Sequence, residues 1–243
     1  MDPVSLSLAA VGLFIAGVLK GATGLGYSSC ALPFLAAALG LKTAIALVVI
    51  PAMISNLTLL WSTGHFRQTV QRFALFYAAM LPGIAIGLYA LTWVNPRSAE
   101  MVLGALIIIY SLYSILRPIA LLPAGLERPL QTPAGMLNGF LTGLTGSQVM
   151  PLLPYMLSLG LGRAELVQAT NIAVTLASGF MAIGLLGSGL MTLPGLGASI
   201  LAIVPAMAGV MLGTRLRRLI PEGRFKLVVL VVLGLLGVGL IVR

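Results

Sequence analysis

The sequence has few charged residues, and acidic ones are the scarcest. Only 5 of its 243 residues are Asp or Glu, and charged residues make up 8% of the chain, against about 25% in soluble globular proteins. The single cysteine, Cys30, excludes an internal disulfide or a Cys-X-X-Cys motif. With one histidine as well, almost no catalytic pair or metal ligand set is possible. We therefore expect no enzymatic activity, no metal and no cofactor.

Apolar residues make up most of the sequence instead. They make up 59% of the chain, above the soluble range of about 45–50%, so the sequence predicts an integral membrane protein. Its length allows roughly eight to ten membrane segments of about 20 residues and no soluble domain. The net charge of +9 comes from basic residues spread over short loops, which indicates membrane topology and not nucleic acid binding.

Ten apolar segments can be distinguished between charges and turn residues. Three of them, the second, sixth and seventh, are too short to cross a hydrocarbon core of about 30 Å and are predicted to be half-helices or re-entrant elements. The segments lie near residues 4–22, 27–40, 43–63, 73–94, 99–116, 134–145, 147–161, 166–187, 190–213 and 225–242.

The distribution of basic residues predicts the orientation. Segments one and two form one candidate hairpin, and segments six and seven form another. If each hairpin returns to its own side, one face carries all but three of the 14 basic residues; the exceptions are Lys42, Arg97 and Arg243. If each of these two pairs is instead one broken span, the basic residues are divided less sharply between the faces. The positive-inside rule thus favours the hairpins, with both termini outside the cell.

The sequence also contains an internal repeat. Two stretches share a Gly-X-X-X-Gly start, a Gly-Leu turn, hydroxyl side chains and a Leu-Pro-aromatic ending: GVLKGATGLGYSSCALPF and GMLNGFLTGLTGSQVMPLLPY. Asn56 and Asn171 each lie eight residues before a glycine. We predict an N-terminal membrane repeat, 1–120, a linker, 121–133, and a C-terminal membrane repeat, 134–243. Each repeat holds five segments, an odd number, so the second is inverted, as is typical of secondary transporters.

The glycine-rich stretches around 21–26 and 139–146 are expected to be non-helical. Irregular backbone at membrane depth must be buried in protein or line a site, and each stretch is followed by a short helix with a polar start. Free amides at such starts favour anions. Lys20 adds a charge that costs at least about 2.5–3.5 kcal/mol in a membrane. The predicted substrate-binding residues are Lys20, Tyr27, Ser28, Ser29, Asn56, Thr145, Ser147, Gln148 and Asn171.

Three of these assignments have an alternative. Lys20 could extend to the interface as a topology marker, and Asn56 and Asn171 could bridge neighbouring helices without touching a ligand. The paired glycine motifs, the C-terminal GTRLRRLIPEGRFKLVVLVVLGLLGVGL and the length resemble the sulfite exporter TauE/SafE family of bacterial membrane transporters. The resemblance implies a multi-pass inner-membrane permease for small anions such as sulfite, thiosulfate or organosulfonates.

Together these features predict an all-α polytopic protein with one short-helix hairpin in each inverted repeat. We expect a secondary transporter that exposes a midplane site alternately to the two sides, with a small anion and the lipid bilayer as its partners. Two other functions share much of this sequence pattern: an anion channel, and an accessory membrane subunit that does not transport.

Overall fold

The structure, a computed structural model, describes residues 3–23, 26–60, 66–116, 121–216 and 222–242. Within these ranges the chain is helical and contains no strand. Gly24 and Arg243 lie outside the described residues. The helices are α1 (Pro3–Thr23), α2 (Tyr27–Leu39), α3 (Leu41–Leu60), α4 (Phe66–Arg72), α5 (Ala74–Trp93), α6 (Pro96–Leu116), α7 (Ala124–Thr145), α8 (Leu152–Ser158), α9 (Arg163–Gly187), α10 (Leu193–Leu201), α11 (Ile203–Leu216) and α12 (Glu222–Val242).

The prediction of an all-helical membrane protein is confirmed. Four stretches are long and apolar enough to cross a membrane: Ala74–Trp93, Pro96–Leu116, Ala164–Gly187 and Leu193–Leu216. Shorter apolar helices cover Ser7–Ala22, Tyr27–Leu39, Leu41–Leu57 and Leu227–Val242. The orientation of the termini stays a prediction.

The expected half-helices are found in two of three places. α2 has 13 residues and α8 has 7. The prediction for the sixth segment is wrong, because α7 has 22 residues and already begins at Ala124. Residues 124–133, assigned to the linker, are therefore helical. Their prolines, Pro129 and Pro133, are the sixth and tenth residues of α7, so both lie inside the helix and each removes one backbone N–H from it.

The glycine-rich stretches are also more helical than expected. Gly21 lies inside α1, and Gly139 and Gly143 lie inside α7. Of the described glycines in these stretches, Gly26 and Gly146 mark breaks, and Gly146 ends α7 in the left-handed region with φ 75°. Gly21, Gly139 and Gly143 lie directly against the backbone of a neighbouring helix, at a distance that only glycine allows.

Two helix pairs show this packing. In α1 and α11, a side chain on Gly17 would overlap the Ala206 carbonyl, and one on Gly21 would overlap the Val210 carbonyl. Residue numbers rise together along both helices, so α1 and α11 run parallel. Gly209 of α11 faces Gly17.

α5 and α7 form the second pair. A side chain on Gly83 would overlap the Met136 carbonyl, and one on Gly87 would overlap the Phe140 carbonyl. These helices are again parallel, with Gly139 facing Gly83. The same small-residue spacing thus joins α1 to α11 and α7 to α5.

α6 and α12 pack in the opposite sense. Gly104 contacts Gly237, while Ser111 faces Gly234, so the numbers run against each other and the pair is antiparallel. Arg97, at the start of α6, donates to the Leu240 carbonyl at 2.7 Å and satisfies the end of α12. With α3 and α9 at the centre, all four main helix pairs join the first half of the chain to the second. The two sequence halves are therefore interleaved.

Candidate functional site

Lys20 lies in the last turn of α1 and is buried. Its exposed fraction is 7%, and it is the only charged residue among those that the structure describes as buried. The side chain turns into the protein and does not extend to the surface, since its ammonium is bonded to α3. A buried ammonium loses its hydration and requires hydrogen-bond partners in return.

Two neighbouring residues of α3 supply those partners. Lys20 Nζ lies 2.8 Å from Ser55 Oγ and 2.9 Å from Asn56 Oδ1. Ser55 Oγ donates to the Ala52 carbonyl at 2.9 Å, and Asn56 Nδ2 donates to the same carbonyl at 2.7 Å. The Ser55 hydroxyl hydrogen and one amide hydrogen of Asn56 are therefore committed to that carbonyl, while Ser55 Oγ and Asn56 Oδ1 face Lys20 as acceptors. The ammonium has three N–H groups, and the described residues accept two.

The acidic side chains that the structure describes lie elsewhere. Arg72, at the end of α4, binds Glu127 of α7 and Glu165 of α9, and Glu100 lies half-buried on α6. The Arg72 hydrogen bonds lower the pKa of Glu127. Among the described side chains no carboxylate contacts Lys20, so its charge has hydrogen-bond partners but no counter-ion.

A second polar group lies around Gln148. This residue belongs to the segment between α7 and α8 and donates through Nε2 to Ser178 Oγ of α9 at 2.8 Å. Ser28 Oγ, in the first turn of α2, donates to Gln148 Oε1 at 3.5 Å. Ser28 and Gln148 line a cavity of about 10 Å³, whose other walls include Val49 and Met181. Such a volume holds about one water molecule.

The second polar helix start differs from the prediction. α8 begins at Leu152, so Ser147 and Gln148 precede the helix and do not form its first turn. Thr145 Oγ1 donates to the Leu141 carbonyl at 2.6 Å and accepts from the Ser147 amide at 3.2 Å. Thr145 and Ser147 therefore shape the turn at the end of α7.

Asn138 in the second repeat sequence lies at the position that matches Lys20 in the first. Its Oδ1 accepts from the Leu152 amide at 3.2 Å, so it satisfies the start of α8. The two matching positions thus have different partners: Lys20 binds α3, whereas Asn138 binds the short helix of its own hairpin.

The remaining predicted residues are placed separately. Tyr27 donates to the Leu13 carbonyl of α1 at 3.3 Å, and Asn171 Nδ2 donates to the Val167 carbonyl at 2.7 Å. Ser29 Oγ is buried and has no protein partner among the described residues. The structure thus brings Lys20 together with Asn56, and Ser28 with Gln148. Along α3 these two groups are about 10 Å apart, the rise over the seven residues from Val49 to Asn56.

Two members of these groups were missed at the sequence level. Ser55 precedes Asn56 directly, and a serine beside an asparagine in an apolar run was a usable signal. Ser178 lies seven residues after Asn171, which places both on one face of α9. Small hydroxyl residues are common in membrane helices, so neither stood out.

Comparison with known families identifies the chain. The family model described as Sulfite exporter TauE/SafE matches residues 8–240, nearly the whole sequence. The chain belongs to the TauE/SafE family. Neither the curated proteins nor the solved structures compared with it give a match.

Membership of this family indicates what the protein does in the membrane. TauE/SafE proteins are transporters, so this chain is a multi-pass membrane protein that transports sulfite or related anions. A transporter family also agrees with the expectation that the chain is not an enzyme.

Proposed function

We propose that the protein is a secondary transporter of the bacterial inner membrane that carries a sulfur oxyanion or an organosulfonate through a site centred on Lys20. The observation that carries the proposal is the buried ammonium without a described counter-ion. Because Ser55 and Asn56 are fixed as acceptors by the Ala52 carbonyl, the third N–H of Lys20 is the one that an anion would accept.

The first turn of α2 provides a second position for the anion, about 10 Å along α3 from the Lys20 group. Ser28 and Ser29 are buried there, and Ser29 Oγ has no protein partner among the described residues. An oxyanion that leaves Lys20 would next accept from these hydroxyls and from the free amides of the helix start, where the dipole is positive. Gln148 and Asn171 of the other repeat stay in the proposal as residues that line the path.

Helix directions support the inverted repeat. α1 and α11 are parallel, α5 and α7 are parallel, and α6 and α12 are antiparallel. Only two residues, 94 and 95, join α5 to α6, so these helices run in opposite directions. If α11 and α12 also run in opposite directions to each other, then α1 and α7 point in opposite directions. These are the helices that carry the matching Gly-X-X-X-Gly sequences.

The interleaved packing indicates which parts would move. We define the α1 body as α1, α2, α3, α10 and α11, and the α7 body as α4, α5, α7, α8 and α9. Inside the α1 body, Ser199 donates to the Leu47 carbonyl at 3.1 Å, and inside the α7 body, Tyr77 donates to the Ala169 carbonyl at 3.1 Å. Each body takes helices from both sequence halves, so a hinge at the linker would break the glycine contacts.

Alternating access would therefore move the α1 body against the α7 body. The α3–α9 contact crosses the boundary between them, as does the hydrogen bond from Ser28 to Gln148, which at 3.5 Å is the longest in its group. The stronger bond from Gln148 to Ser178 lies inside the α7 body. Separation of Ser28 from Gln148 would open the small cavity between them.

Flux into proteoliposomes tests the proposed function. Purified protein should take up sulfite and ethanesulfonate with saturable initial rates, and Lys20→Gln should lower both rates at least about tenfold. Lys42→Gln, the same change in a half-buried lysine at the start of α3, should leave them unchanged. Flux that does not saturate and carries channel-sized currents would contradict the carrier. Intact, folded protein without anion flux or anion binding would favour the accessory role.

A further inference from the structure

We infer that the Lys20 site selects anions with a single negative charge. The inference rests on the proposed function, since it concerns the substrate of the same site. It starts from the number of charges in the buried region: Lys20 is the only charged residue among the described buried ones. The polar side chains that bind Lys20, Ser55 and Asn56, and those at the start of α2, Ser28 and Ser29, are all neutral.

The helix dipoles do not change the net charge of the proposed site. Lys20 lies at the end of α1, where the dipole is negative, and α2 begins at Tyr27, where it is positive. Each end is equivalent to about half an elementary charge. The two ends have opposite signs and similar magnitudes, so the net charge that the described buried residues offer an anion is the one ammonium.

The charge of the complex then depends on the ligand. A monoanion beside Lys20 gives a neutral pair, whereas a dianion leaves one negative charge in a buried region without a second cation. A neutral ligand leaves the ammonium uncompensated. Because an uncompensated charge is unfavourable in a membrane interior, the monoanion should bind at least about tenfold more tightly than either.

This condition divides the sulfur anions into two classes. Hydrogensulfite and alkanesulfonates carry one charge, whereas sulfite, sulfate and thiosulfate carry two when fully ionised. A fully ionised dianion fits the charge condition only after it has taken up one proton, as sulfite does when it becomes hydrogensulfite. The proton is then bound to the ligand and crosses with it.

A series of ligands that share a two-carbon chain and differ in charge tests the inference without any mutation. Ethanesulfonate is the monoanion, ethane-1,2-disulfonate the dianion, and ethyl methyl sulfone the neutral analogue. Detergent-purified full-length protein would be titrated with each at constant ionic strength, and binding would be measured by calorimetry and by the rise in melting temperature. We expect ethanesulfonate to bind at least about tenfold more tightly than the other two.

A charge-removing variant provides the second measurement. In Lys20→Gln the preference of ethanesulfonate over the sulfone should disappear, while Lys42→Gln should keep it. If Lys20→Gln does not fold, the series on the unaltered protein decides alone.

The possible outcomes separate the two proposals. Equal or tighter binding of the disulfonate would overturn the charge selectivity but leave an anion transporter. Binding of the sulfone as tight as that of ethanesulfonate would also overturn it. If sulfite and the sulfonates neither bind nor cross the membrane, the proposed function itself is wrong.

Discussion

Arg72 binds Glu127 through two parallel hydrogen bonds, Nε to Oε1 at 2.7 Å and Nη2 to Oε2 at 2.8 Å. The guanidinium also donates to Glu165 Oε1 at 2.7 Å. One arginine from the first half of the chain thus connects α4 to the starts of α7 and α9 in the second half. Arg72 therefore stabilises the interleaved packing of the α7 body.

Removal of this arginine should weaken the protein in a pH-dependent way. Arg72→Gln is expected to lower the free energy of unfolding by about 1 kcal/mol near neutral pH, the upper end for partly exposed ion pairs. Arg72 holds the pKa of Glu127 below its ordinary value. The contribution is therefore fully present above the ordinary Glu pKa, and it is lost as pH falls through the lowered one.

Thermal unfolding of the variant across acid and neutral pH measures this effect. The difference from the unaltered protein should shrink on acidification. Arg67→Gln, in the same short helix and also exposed but without an ion pair among the described residues, should change little at any pH. A deficit in Arg72→Gln that stays constant down to strongly acid pH would contradict the assigned role of Glu127.

The glycine contacts give a second prediction. In Gly139→Ala the new methyl group would overlap the Met80 carbonyl of α5, which is backbone and cannot turn aside. We expect a loss of about 1–3 kcal/mol, the range for overpacked cores. Gly197→Ala, in α10 with open space around it, should be neutral or stabilising by up to about 1 kcal/mol. Melting temperatures in one detergent compare the two variants.

Most of the fold could be predicted from the sequence because long apolar runs have few possible structures in a membrane. The predicted segment boundaries were wrong where charged residues and prolines interrupt an apolar run. Glu127, Pro129 and Pro133 resemble a linker in sequence, yet α7 includes all three. The glycines of α1 and α7 were read as helix breaks, since the sequence alone does not give the neighbouring helix that packs on them.

The site was predictable residue by residue but not as an arrangement. Lys20 stood out because a charge in an apolar run has few explanations. Its partners could not be predicted, because Ser55 and Asn56 are 35 and 36 residues away along the chain. The two repeat sequences place Lys20 and Asn138 at matching positions, of which only Lys20 carries a charge. The contacts differ because Asn138 satisfies the start of α8.

Cross-linking can test which parts move. In a Cys30→Ser background, Ser111→Cys with Gly234→Cys would join α6 to α12. A side chain on Gly234 lies 3.8 Å from Ser111 Cβ, within the range for a disulfide. Since neither helix belongs to the two moving bodies, this link should leave at least about half of the flux.

A link across the moving boundary should behave differently. Met53→Cys with Gly179→Cys, joined by a short reagent with two thiol-reactive ends, would connect α3 to α9, because a side chain on Gly179 lies 3.9 Å from Met53 Sδ. We expect it to lower sulfite flux at least about tenfold, as alternating access requires this contact to change. Each single-cysteine variant treated with the same reagent is the control. Full flux in the linked protein would rule out motion between α3 and α9.

A carboxylate placed next to Lys20 should replace the substrate. Asn56→Asp keeps the size of the side chain and provides the counter-ion that the described residues do not supply, at the 2.9 Å position now occupied by Oδ1. The new ion pair with Lys20 is offset by loss of the hydrogen bond from Asn56 Nδ2 to the Ala52 carbonyl, so we expect little change in the melting temperature without ligand. Ethanesulfonate affinity should fall at least about tenfold, because the anion must displace a bound carboxylate.

Asn171→Asp is the control, at a matching position without a lysine contact among the described residues. It should lower the melting temperature, because it adds an unpaired negative charge. Undiminished ethanesulfonate binding in Asn56→Asp would show that the anion does not bind at the Lys20 ammonium.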